Sequence, residues 1–146
     1  KLFNYDFNFN IIVEFIENWF KISQEIKNKW NKNLPIASWF HPYFYIKNED
    51  KIKVKINNFS DNFFNVWSIW DTKYLDNVNS LEVDFQKYIL EFNYDKDFQQ
   101  IWLWSEKDKD FLCIEPVLRE ENWLIDNPVL ILPWETKKYS FNIIKK

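Results

Sequence analysis

His41, the only histidine of the chain, stands in Ser38-Trp39-Phe40-His41-Pro42-Tyr43-Phe44, with aromatic residues on both sides and a proline directly after it. Proline disfavours the helical region for the residue before it, so His41 is expected to be extended, at a strand end or in a turn. A second stretch, Phe111-Leu112-Cys113-Ile114-Glu115-Pro116, sets a carboxylate before a proline at the end of an apolar run. An imidazole and a carboxylate, each held on a stiff element, can work as an acid–base pair. Imidazole side chains change charge near neutral pH, and a carboxyl at an apolar strand end is raised towards the same range. Plainer roles exist for the same residues. A lone histidine among aromatics can be a packing residue, Glu115 a solvated strand end, and Cys113 a small hydrophobe.

The elements that must carry these groups read as strands. Phe7, Phe9, Ile11, Val13 and Phe15 repeat every second residue, and Phe20–Ile26 reads as the return strand of a hairpin. Lys51–Ile56 alternates charge with β-branched residues, the pattern of a strand with one wet face. Further strands are expected at Ser80–Asp84, Lys87–Tyr94, Gln99–Trp104, Phe111–Glu115, Val129–Leu132 and Lys138–Ile144. Asn57–Asn79 is the least regular segment and reads as a long connection bordering a site. The expected fold class is all-β, an antiparallel β-sandwich.

The totals narrow the function classes. At 146 residues the chain is one domain or a piece of a larger one, and 47% apolar residues suffice for a core. A net charge of −3 gives no basic excess for nucleic acid. One cysteine forms no internal disulfide, and one histidine with one cysteine leaves no four-ligand structural zinc site, so no metal and no cofactor are expected. No run reaches the length of a membrane helix and no signal peptide opens the chain, which predicts a cytoplasmic protein without a membrane partner. The lack of any methionine predicts a piece of a longer protein.

Three segments in order resemble one family. Pro35-Ile-Ala-Ser-Trp39-Phe-His-Pro-Tyr-Phe44 resembles the P-x-x-x-G-F-H-P-Y-F segment of bacterial aldose 1-epimerases (mutarotases). Phe111-Leu-Cys-Ile-Glu-Pro116 resembles their F-x-C-x-E-P strand, and Leu132-Pro-Trp-Glu-Thr136 with Phe141-Asn-Ile143 their closing L-x-P-G-E-[ST] and F-x-I. The resemblance covers the whole chain but only the C-terminal half of such an enzyme. It implies a partial galactose mutarotase-like supersandwich, with residues 1–146 as the C-terminal portion of one β-sandwich domain. It also implies a free aldose as partner, with His41 as general acid on the ring oxygen and Glu115 as general base on the C1 hydroxyl. The two would work from opposite sides of the ring, opening and reclosing it without metal or nucleotide. Trp104 matches a family tryptophan, and Asp71 and Asp76 are candidates for the sugar-binding aspartate; Trp104 and Asp76 are taken as the substrate-binding pair. The chain departs from the family in three ways. Val117 stands where many relatives have an aromatic, and the family's second active-site histidine and its sugar-binding arginine have no counterpart. Three alternatives remain: a non-catalytic carbohydrate-binding sandwich, an inactive truncated remnant, and a sugar-phosphate epimerase, for which Arg119 alone offers little positive charge.

Composition adds one expectation. The chain has nine tryptophans and no glycine, and Trp39 and Trp134 stand where the family motifs have glycine. Trp19, Trp67 and Trp123 also occupy places where a turn would want glycine. Together these predict that Trp19, Trp39, Trp67, Trp123 and Trp134 are glycine in the natural protein, as when UGA is read as glycine.

Overall fold

The computed structural model describes residues 4–57, 73–119 and 122–146. In chain order the strands are β1 (Phe7–Ile16), β2 (Trp19–Asn28), β3 (Leu34–Ile36), β4 (Tyr43–Tyr45), β5 (Lys55–Ile56) and β6 (Lys73–Asp76). They continue with β7 (Ser80–Asp84), β8 (Ile89–Tyr94), β9 (Gln100–Trp104), β10 (Phe111–Val117), β11 (Val129–Ile131) and β12 (Thr136–Lys145). A 3-10 turn (Asn48–Lys53) and one helical turn, α1 (Trp123–Asp126), complete the elements.

Two sheets carry the fold. The larger runs β1-β2-β12-β8-β7-β5, the smaller β4-β10-β9-β6, and β11-β3 forms a two-stranded clip. All these pairings are antiparallel. The all-β antiparallel expectation holds, and the architecture is that of a sandwich.

Alternation decides which side chains meet between the sheets. Leu81 and Val83 of β7, Phe92 of β8, and Phe141 and Ile143 of β12 point inward from the large sheet and are buried. Ile101 and Leu103 of β9 and Leu112 and Ile114 of β10 answer from the small sheet, with no exposed surface. The layers lock through aromatic edges. Phe44 meets Phe92 at 5.3 Å between ring centres, and Phe40 meets Phe141 at 5.0 Å. Each such fully buried side chain contributes roughly 1.5–3 kcal/mol.

Among the described residues, the small sheet covers only part of the large one. Register carries the inward face of β12 onto β2 and then onto β1, where Phe9 stands opposite Ile26 and Val13 opposite Ile22. There the apolar row emerges into solvent, with Phe9 45%, Ile11 61% and Phe15 83% exposed.

Three expectations need correction. Lys51–Ile56 is not a strand over its length. Asn48–Lys53 forms the 3-10 turn and only Lys55–Ile56 pairs, with β7. The strand pattern would leave the lysines wet and bury the isoleucines, yet Lys51 is buried and Ile52 exposed. The Lys51 ammonium donates to the Glu106 carbonyl at 2.7 Å, which compensates its burial. Within Asn57–Asn79, β6 is a paired strand of the small sheet, while 58–72, including Trp67 and Asp71, lies outside the described residues. The third correction concerns which positions a turn would want as glycine. Of the four described positions expected to be glycine, Trp134 alone has a positive φ, 66°. Glu17 takes that role before Trp19 and Asn122 before Trp123, and Trp39 bridges Val117 as extended backbone.

Candidate active site

The outer face of the small sheet carries the candidate acid–base groups, and strand register explains how His41 reaches it. Trp39 pairs with Val117, and Tyr43 with Cys113, in one uninterrupted antiparallel register. That register sets His41 opposite Glu115 and Pro42 opposite Ile114. Pro42 has no N–H to give, so the ladder lapses at the residues that carry the imidazole. Backbone bonds on the Trp39 side hold the gap in place, Phe40 N–H to the Pro116 carbonyl at 3.1 Å and Leu118 N–H to the Ser38 carbonyl at 3.0 Å. Buried Gln24 of β2 fastens the same segment from below. Its amide donates to the Trp39 carbonyl at 3.1 Å, and its side-chain oxygen accepts from the Ser38 hydroxyl.

Opposite residues of antiparallel strands share a face, so the register produces three rows across the sheet. The central row is His41, Glu115, Trp102 and Tyr74. On one side lie Tyr43, Cys113 and Trp104, and on the other Val117, Gln100 and Asp76.

His41 Nε2 lies 3.4 Å from Glu115 Oε1. The imidazole is 38% exposed and the carboxylate 5%, so the pair has one wet and one dry member. Burial pushes the Glu115 carboxyl up to about 7. Desolvation penalises the charged form, and His41 is the partner that can answer it. The imidazole stacks on Tyr43 at 4.9 Å with 13° between planes, and meets the edge of Trp104 at 5.6 Å. These rings fix the imidazole plane. Burial, followed by the neighbouring Glu115 charge, pushes the Cys113 thiol up to about 12, so it is a neutral thiol.

The flanking row forms a relay of hydrogen bonds. Trp102 Nε1–H donates to Gln100 Oε1 at 2.8 Å, and the Gln100 amide donates to Asp76 Oδ1 at 2.7 Å. Tyr74 and Trp102 meet edge to face at 5.1 Å, placing a flat apolar surface beside these polar groups. Such a surface suits a ligand that is apolar on one face and polar along its edge.

All four sequence-predicted site residues lie on this face. His41, Glu115 and Trp104 come together, and Asp76 stands at the far edge of the sheet beyond Gln100. One expectation of arrangement changes. His41 and Glu115 sit side by side on one face, so they would approach a bound ring from the same side. Sequence reasoning missed Gln100, Trp102 and Tyr74 as site residues, and Gln24 as the fastening of the histidine segment. A glutamine or tryptophan in a period-two strand carries no mark of its own. Only pairing to Glu115 and Asp76 distinguishes them.

No protein-family model and no curated protein matches the sequence. Solved structures do match in fold. The Slr1438 protein of Synechocystis sp. PCC 6803 superposes with a TM-score of 0.80 at 19% identity, over 97% of this chain and 55% of that one. A candidate aldose 1-epimerase of Escherichia coli K12 gives 0.78 at 13%, over 98% of this chain and 61% of that one. A galactose mutarotase-like protein of Clostridium acetobutylicum gives 0.78 at 13%, over 99% of this chain and 57% of that one. The fold is therefore galactose mutarotase-like. The chain spans between 55% and 61% of the length of these three structures.

Proposed function

We propose that the site interconverts the α and β anomers of a free aldose, as an acid–base isomerase of the aldose 1-epimerase type. The observation that carries this reading is the His41–Glu115 pair, 3.4 Å apart on an open face, with the carboxyl raised to about 7. In a cyclic aldose the C1 hydroxyl oxygen and the ring oxygen are bonded to the same carbon. Two groups side by side can therefore serve both at once, without having to flank the ring. Glu115 takes the proton from the C1 hydroxyl as the C1–ring-oxygen bond breaks, and His41 gives a proton to the ring oxygen. The open-chain aldehyde turns about its C1–C2 bond, and the reverse transfers close the ring on the other face. Electrons and protons balance within the substrate and the pair.

Trp102 and Trp104 supply the apolar floor, and Gln100 with Asp76 the hydroxyl partners. In this reading the chain is the C-terminal portion of one sandwich domain, consistent with the uncovered apolar row on β1. The test is anomer exchange measured by polarimetry or NMR. His41→Asn and Glu115→Gln should each lower turnover by about 10²–10⁴-fold while sugar-induced changes in tryptophan fluorescence persist. A wild type that binds aldoses and never exchanges their anomers would instead make this a carbohydrate-binding sandwich.

A further inference from the structure

We infer that the same face holds a three-ligand site for a zinc-class divalent ion, which switches the acid–base pair off when occupied. Among the described residues, one group of metal-ligating side chains comes together, namely His41, Cys113 and Glu115, whose ligand atoms lie within 4.8 Å of one another. Register accounts for the cluster. His41 and Glu115 are cross-strand neighbours, and Cys113 is one pleat away on the same face of β10.

The donor set is selective. Imidazole nitrogen, thiolate sulfur and carboxylate oxygen together suit zinc and its neighbours, while calcium and magnesium prefer oxygen alone. Zinc takes such ligands at about 2.0–2.3 Å, which places tetrahedral ligand atoms roughly 3.3–3.8 Å apart. His41 Nε2 and Glu115 Oε1 already stand at 3.4 Å. The thiol needs to close by at most about 1 Å, within the reach of a χ1 adjustment. Three protein ligands leave a fourth position for water. The entrance is the exposed imidazole, since Glu115 and Cys113 are buried behind it.

Binding releases to solvent the Cys113 thiol proton, and with it any acid proton on the ligating nitrogen of His41, and each atom gives the freed electron pair to the ion. In the occupied site the ion engages the imidazole nitrogen and a carboxylate oxygen, so His41 and Glu115 can no longer serve as the paired acid and base of the sugar reading, on which the switch rests. The cluster depends on geometry alone and stands whether or not the sugar reading does. The site departs from the sequence-based expectation of no metal, because strand register gathers three ligands that lie far apart in the sequence.

The experiment is a titration of the full chain with zinc chloride by calorimetry, paralleled by cobalt(II) absorbance. One ion per chain should bind at about micromolar concentration, and the cobalt adduct should show a near-ultraviolet sulfur-to-metal band. Cys113→Ser should abolish that band, and both it and Glu115→Gln should weaken zinc by at least about tenfold. If Cys113→Ser loses its β-sheet circular dichroism, the wild-type cobalt band and the loss of binding in His41→Asn decide. No bound zinc at about 0.1 mM, a cobalt spectrum without the sulfur band, or undiminished affinity in folded Cys113→Ser each overturns the site. Anomer exchange, where the wild type shows it, should stop with one equivalent of zinc and return with a chelator. Exchange that continues in the zinc-loaded protein would overturn the switch. A protein that binds zinc through Cys113 but has no exchange activity would sink the sugar reading and leave the metal site standing.

Discussion

Glu115 is the residue at which the proposed function and stability oppose each other. Its carboxyl is raised from 4.5 to about 7 because folding takes it out of water. A raised folded value means that the stability it allows is fully present below about pH 4.5 and is lost as pH rises through about 7. From this shift we predict that Glu115→Gln is more stable than the wild type at pH 8 by roughly 2–3 kcal/mol, and that the gain disappears below about pH 5. Urea denaturation at the two pH values measures it, and an equal effect at both would refute the assignment. In the proposed base role Glu115 must be ionised, so exchange should rise about tenfold per unit as pH approaches about 7 from below. His41 and Glu115 were legible in the sequence because each precedes a proline at the end of an apolar stretch. Gln100 and Trp102 were not, since their meaning lies in which residues they face across the sheet. The same limit applies to Lys51. Its alternating neighbours suggest a wet strand face, and the Glu106 carbonyl and the Phe111 ring explain a buried ammonium.

At the scale of elements, the turn before β12 is the clearest local conflict. Trp134 sits at φ 66°, where a Cβ costs about 1–2 kcal/mol, and the residue is 66% exposed. The surroundings hold it there. Asn28 donates to the carbonyls of Ile131 and Leu132 at 2.9 and 3.1 Å, and the Leu132 N–H donates to the Glu135 carboxylate at 3.0 Å. Trp134→Gly should therefore raise stability by about 1 kcal/mol, read as a higher melting temperature. Trp19→Gly should lower it, since Trp19 opens β2 between Ile16 and Ile144 and glycine weakens a strand. A drop in both variants would mean that the turn has adapted to its tryptophan. Composition pointed to missing glycines, and of the four described positions Trp134 alone takes the positive φ that favours one. Glycine or asparagine demand is set by φ, and φ at a turn depends on which of its residues takes the bend.

For the whole molecule, the governing feature is two sheets of unequal width. The strand pattern was readable because alternation survives in β1, β2, β7, β8, β9 and β12. The sheet order was not, because nothing local to β12 says that it lies between β2 and β8. The extra width leaves Phe9, Ile11 and Phe15 in water on an edge strand, an arrangement that invites pairing with another chain. Phe9→Lys combined with Ile11→Lys should suppress self-association of this chain, seen as a lower mass in light scattering, with circular dichroism unchanged. A mass that stays the same would exclude β1 as the sticky surface.

The unbroken register from Trp39 to Tyr43 also has a consequence for sequence length. A strand shows alternate residues to alternate faces, so the loop-like gap at His41 and Pro42 obeys a parity rule. Adding or deleting a single residue there, with both flanks still paired, would turn the imidazole towards Phe141 and the core. Changes in steps of two would leave it over Glu115. Among homologous chains, insertions and deletions in this segment should therefore be even-numbered wherever the histidine still does chemistry.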